Sequence, residues 1–141
     1  MATIKDNKVI TETVSLEFVD PQGEVISLEA DLVYDVEDPY AMTMVFKIGA
    51  DDEVLWTFGR ELFITGLYEP SGDGDVRVWP CLDSTGRAVV IIELSSPEGE
   101  VMVQANSRDV SRFVSTMTDS VPRGAESGYI DFDQELVALL G

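Results

Sequence analysis

Apolar and polar residues alternate through most of this chain, and that alternation predicts strands. In TETVSLEFVD, Val14, Leu16 and Phe18 point one way while Ser15 and Glu17 point the other. PQGE, Pro21 to Glu24, reads as a short turn. Ile26, Leu28, Ala30, Leu32 and Tyr34 then alternate with Ser27, Glu29 and Asp31, so the two runs are expected to form a long hairpin. DVEDPY breaks the pattern, because Pro39 forces an extended or turn geometry on Asp38. AMTMVFKIG restores it, with Met42, Met44, Phe46 and Ile48 on one face. After the turn ADDE, Val54, Trp56 and Phe58 form the inner face of a fourth strand.

GRELFITGL loses the two-residue period and predicts a short helix from Arg60 to Thr65, with Gly66 as its C-terminal stop. A loop over Tyr68 to Asp75 follows. DVRVWPCL, RAVVIIELSS and EVMVQA then read as strands separated by the turns DSTG and PEG. In NSRDVSRFVSTMTDSVP, Val110, Phe113, Val114 and Met117 recur at helical spacing; Asn106 is the expected N-cap and Pro122 the stop. A last helix is predicted over Phe132 to Leu140, capped by Asp131. The lead MATIKDNKVI, residues 1–10, receives no element and is expected to be a disordered start. The turns are too short for parallel crossovers, so pairing should be antiparallel. The expected fold is α+β, a single domain over residues 1–141. Two antiparallel sheets, or one strongly curled sheet, are covered by helices near the C-terminus.

One strand carries surplus apolar surface. In AVVIIEL, Val90, Ile92 and Leu94 occupy one face while Ala88, Val89 and Ile91 make the other apolar as well. Burial inside the subunit and a subunit interface both account for this pattern.

Composition narrows the function classes. The chain has 141 residues, 45% of them hydrophobic, enough for the core of one ordinary domain. Its 27 acidic and 9 basic residues give a formal charge of −18. A surface of that sign repels phosphate backbones and anionic membranes. The N-terminus contains no apolar run of signal-peptide type, and no segment approaches the length needed to span a bilayer. The expectation is therefore a soluble, cytoplasmic protein.

The chemistry available is thin. With no histidine, neither a Ser-His-Asp triad nor a histidine metal site can form. Cys81, the single cysteine, cannot make an internal disulfide and is expected to be buried and inert. The acidic cluster Asp35, Glu37 and Asp38 offers paired carboxylates, but acids are so frequent here that chance explains it. SGDGDVRVWP, Ser71 to Pro80, has glycines suited to a tight loop, yet no phosphate-loop lysine and no EF-hand spacing. It reads as the way into a strand on which Val76 and Val78 face one side, Arg77 and Trp79 the other. Arg77 and Trp79 are the candidate partner-binding residues; no catalytic, cofactor-binding or metal-binding residue is expected, and no cofactor.

DPYAMTMVF, VLWTFGRELFITGLYEPSGDGDVRVWP and LSSPEGE resemble the SsgA-like proteins of sporulating actinobacteria, small developmental regulators of cell division. The resemblance runs from about Thr13 to Leu140. Its clearest marks are Asp38-Pro39-Tyr40, Trp56, Arg60-Glu61-Leu62, Gly66-Leu67, Gly72, Gly74 to Pro80 and Ser95 to Glu100. It implies a Whirly-like fold and a non-enzymatic adaptor. Such an adaptor helps to position or recruit the tubulin-like FtsZ at sporulation septa, with SsgA-type proteins as further partners. It also implies a homo-oligomer, a trimer, located in the cytoplasm at the septum. The alternative that Whirly relatives raise is single-stranded nucleic-acid binding, using Arg77, Arg108, Arg112 and the tryptophans; the charge of the chain argues against it.

Overall fold

The computed structural model describes residues 3–5, 8–19, 22 and 24–130. Among the described residues, eight strands and two α-helices follow in chain order: β1 (Thr3–Lys5), β2 (Val9–Val19), β3 (Val25–Asp35), β4 (Ala41–Lys47), β5 (Glu53–Gly59), α1 (Arg60–Gly66), β6 (Val76–Leu82), β7 (Ala88–Ser96), β8 (Gly99–Asn106) and α2 (Ser107–Ser120). A 3-10 turn at Glu126–Tyr129 comes after α2. The helix expected over Phe132 to Leu140 lies outside the described residues. Within the lead that lacked a predicted element, Thr3–Lys5 pair with Val9–Thr11 of β2, and Ile10 is buried.

All the strands join one antiparallel sheet, ordered β5-β4-β3-β2-β8-β7-β6 with β1 beside β2. The expected hairpin is present, with Leu16 opposite Leu28 and Val14 opposite Ala30. The two halves of the chain meet where β2 pairs β8, Leu16 opposite Ala105. Of the two expected arrangements, the curled sheet is the one formed. In a flat sheet β5 and β7 would lie about 24 Å apart, five spacings of roughly 4.8 Å. Trp56 of β5 and Leu94 of β7 nevertheless line the same cavity, so the sheet wraps around its apolar face.

Both helices lie on that concave face. Asn106 caps α2, its side-chain oxygen accepting from the Arg108 amide at 2.8 Å, which satisfies one of the free N–H groups of the first turn. Val110, Phe113, Val114 and Met117 are buried as their spacing requires. Phe63 of α1 meets Phe113 edge-on at 6.3 Å and Phe58 of β5 at 6.1 Å, which ties the two helices to the sheet. Gly66 departs from its expected role. Its φ is not positive, and Leu67 is the C-cap. A β-carbon at Gly66 would sit 2.6 Å from Val78 Cβ, so glycine is needed there for close approach of α1 to β6.

Strand β7 resolves its double apolarity inside the subunit. Val90 and Ile92 are fully buried on the concave side, and Val89 and Ile91 are buried on the other. On that second face Ile91 stands between Trp79 of β6 and Gln104 of β8, and Val89 between Cys81 and Asn106, so side chains of the same subunit flank both residues and their burial does not call for another subunit.

Candidate functional site

The stretch Ser71 to Pro80 is a strand lead-in. The Ser71 amide donates to the Val78 carbonyl at 2.8 Å, and the Val78 amide donates back at 2.9 Å. Gly72 turns the chain with φ 90, where a side chain would run into the Val76 carbonyl oxygen. Gly74 meets no such constraint. Arg77 and Trp79 share the convex face of β6, as the alternation required. Arg77 is exposed and 3.7 Å from Glu93, the residue opposite it on β7; Trp79 is half-buried opposite Ile91. Trp56 lies on the concave face, so the two tryptophans do not form a common stacking platform.

The remaining candidates are structural. Asp35 Oδ1 accepts from the Glu37 amide at 2.9 Å, and Glu37 pairs with Lys8, which makes the acidic cluster a turn. Cys81 is exposed, contrary to expectation: it stands near the end of edge strand β6, where the following Leu82 is exposed as well. Position at a sheet edge outweighs the apolar character of the thiol. Arg112 donates to Glu12 at 2.9 Å and lies 3.5 Å from Asp109, so carboxylates compensate its charge.

The polar cluster that sequence reasoning missed surrounds Arg60. This first residue of α1 is fully buried. Its Nη2 donates to Glu126 Oε2 at 2.8 Å and to the Pro122 carbonyl at 3.3 Å, and its guanidinium carbon lies 5.4 Å from the centre of the Tyr34 ring. Nε and Nη1 have no hydrogen-bond partner among the described residues. The Glu126 carboxyl is held below its ordinary range, chiefly by the Arg60 hydrogen bond. Burial pushes the Tyr34 phenol up to about 12, and its hydroxyl donates to the Pro39 carbonyl at 2.9 Å. Glu61 pairs with Arg123 just outside the cluster. Arg60, Tyr34 and Pro39 thus join the 38–40 turn, α1 and the segment after α2. The cluster is enclosed and structural, and only the family motif Arg60-Glu61-Leu62 signalled it.

An open apolar groove is a second feature. It occupies the end of the concave face that α1 and α2 leave uncovered, with a volume of about 440 Å³. Phe46, Trp56, Leu94, Val101 and Val103 form much of its wall, and Ile26 and Val54 stand at its mouth. Asp51, Asp52, Glu53, Glu98 and Glu100, all exposed, lie in or beside the β4–β5 and β7–β8 turns at the same end of the sheet. Lys47, the basic side chain of the lining, is 3.3 Å from Asp31.

Comparison with known proteins agrees with this fold. The family described as Streptomyces sporulation and cell division protein, SsgA, matches residues 28–126. The sporulation-specific cell division protein SsgB of Streptomyces coelicolor is 41% identical over 134 residues, 95% of this chain and 97% of that protein. SsgB of Frankia casuarinae is 41% identical over 131 residues, 93% and 91% of the two chains. The crystal structure of an SsgA-like sporulation-specific cell division protein from Thermobifida fusca superposes with a TM-score of 0.83 at 38% identity, covering 95% of this chain and 98% of its own. The chain belongs to the SsgA family of sporulation and cell division proteins and is most like SsgB.

Proposed function

We propose that this protein is a non-enzymatic adaptor of sporulation-specific septum formation, which helps to position or recruit FtsZ at septum sites together with SsgA-type proteins. The observation that carries this reading is similarity to SsgB over more than nine-tenths of both chains. Placement in the cytoplasm at the septum belongs to the same reading; among the described residues no helix is long and apolar enough to cross a membrane. So do the single domain over residues 1–141 and the trimer, although β7 supplies no motive for it. Arg77 and Trp79 are convex-face contacts in this reading. The curled sheet with helices on its concave face is compatible with a Whirly type of body. The single-stranded nucleic-acid alternative is opposed by the pairing of Arg77 and Arg112 with carboxylates and by the separation of the tryptophans. A pull-down of purified FtsZ, with and without GTP, tests the adaptor. Retention of FtsZ is expected; none in either state, beside tight single-strand binding at physiological salt, would reverse the ranking. Sedimentation equilibrium tests the trimer.

A further inference from the structure

We propose that the open end of the concave face receives a short amphipathic helix from a partner protein, its apolar stripe flanked by lysines or arginines. This deepens the adaptor reading and rests on it only in supposing that a partner exists. The groove continues the apolar surface that α1 and α2 cover elsewhere, so a helix is the element that extends the existing layer. The mouth of the groove leaves Ile26 50%, Val54 40% and Val101 41% exposed, a contiguous apolar surface that water solvates poorly.

Charge decides between occupants. Asp51 and Asp52 in the β4–β5 turn and Glu98 in the β7–β8 turn are exposed at this end of the sheet, whereas Glu53 and Glu100 alternate onto the convex face. A second copy would bring the same acidic rim on a chain of formal charge −18. The C-terminal residues 131–141 carry Asp131, Asp133 and Glu135 and no basic residue. A basic-flanked helix alone gains from both the apolar wall and the rim, and its encounter is electrostatically steered.

Trp56 reports directly. The full chain has two tryptophans, so Trp79→Phe leaves Trp56, in the groove wall, as the single emitter. It is titrated at low salt with a synthetic helical peptide bearing leucines at i, i+3, i+4 and i+7 between lysines. A twin has glutamate flanks, and another has serines in place of the leucines. The lysine–leucine peptide should shift Trp56 emission to the blue and saturate. The glutamate twin should bind at least about tenfold more weakly, and the serine twin should leave emission unchanged. Val54→Ser and Val101→Ser, both at partly exposed positions, should each weaken binding, and Arg87→Ala, in the exposed β6–β7 turn away from the groove, should not. Equal binding of the lysine and glutamate peptides would overturn the proposal, as would indifference to both groove variants. Self-association that Val54→Ser abolishes would assign the groove to a second copy and overturn it too. Peptide binding without FtsZ retention would keep the groove and remove the FtsZ reading.

Discussion

Replacing Gly66 with alanine should destabilise the protein even though alanine is the better helix former. In an exposed helix interior the exchange gains about 1 kcal/mol. Here the new β-carbon would stand 2.6 Å from Val78 Cβ and 3.2 Å from the Val78 carbonyl carbon, with Val78 Cγ1 nearer still. Val78 cannot retreat. It is fully buried, paired with Ile92 of β7, and held on its other side by both hydrogen bonds to Ser71. Overpacking of this kind costs about 1–3 kcal/mol, occasionally more, and two carbons inside 3.0 Å put this site at the upper end. After the helix gain, Gly66→Ala should lose about 2 kcal/mol net, a fall in Tm of roughly 8 °C for a chain of this size. Val78→Ala alone should lose about 2 kcal/mol of methyl burial. It removes Cγ1 but keeps Cβ, so in the double variant part of the strain is relieved. The two losses should therefore sum to more than the double variant shows, by about 1 kcal/mol. Urea unfolding of the four proteins measures the cycle. Additivity within about 0.5 kcal/mol, or stabilisation by Gly66→Ala, would refute the close-approach argument.

The depressed Glu126 carboxyl contributes stability that is complete above its unfolded value of 4.5 and is lost as pH falls through the lower folded value. The stability gap between wild type and Glu126→Gln in urea should therefore close below pH 4.5, and a constant gap would contradict the Arg60 pairing. The Tyr34 phenol, raised from 10.0 to about 12, favours the fold fully below pH 10 and loses that contribution as pH climbs towards 12. Its tyrosinate absorbance, taken as wild type minus Tyr34→Phe while circular dichroism stays native, should appear near 12; ionisation near 10 would show an accessible ring. Cys81, exposed, should react completely with a chromogenic disulfide reagent in the native protein. A thiol that reacts only in denaturant would place it inside.

Local periodicity decided the elements. Strands half-buried on a pleat must alternate, and α2 must repeat its apolar residues at helical spacing, so β2 to β8 and the Asn106 cap were readable from nearest neighbours alone. The ordered motifs from Asp38 to Glu100 likewise carried the family. Alternation assigns a face and says nothing of what covers it. Ile26, Phe46, Ile48 and Val54 read as equivalent inner positions, yet Phe46 is buried while Ile26, Ile48 and Val54 are exposed. That difference arises because the helices fill only one end of a curled sheet, and the groove exists for the same reason. The joining of the two halves through Leu16 and Ala105, the approach of Val78 to Gly66, and the burial of Arg60 against Glu126 are contacts between residues distant in sequence. Each depends on tertiary arrangement, the first on strand order and the others on how the helices seat on the sheet. Arginine at the start of a helix reads as a solvated charge; only the fold, by bringing Glu126 and the Tyr34 ring to it, turns that charge inward.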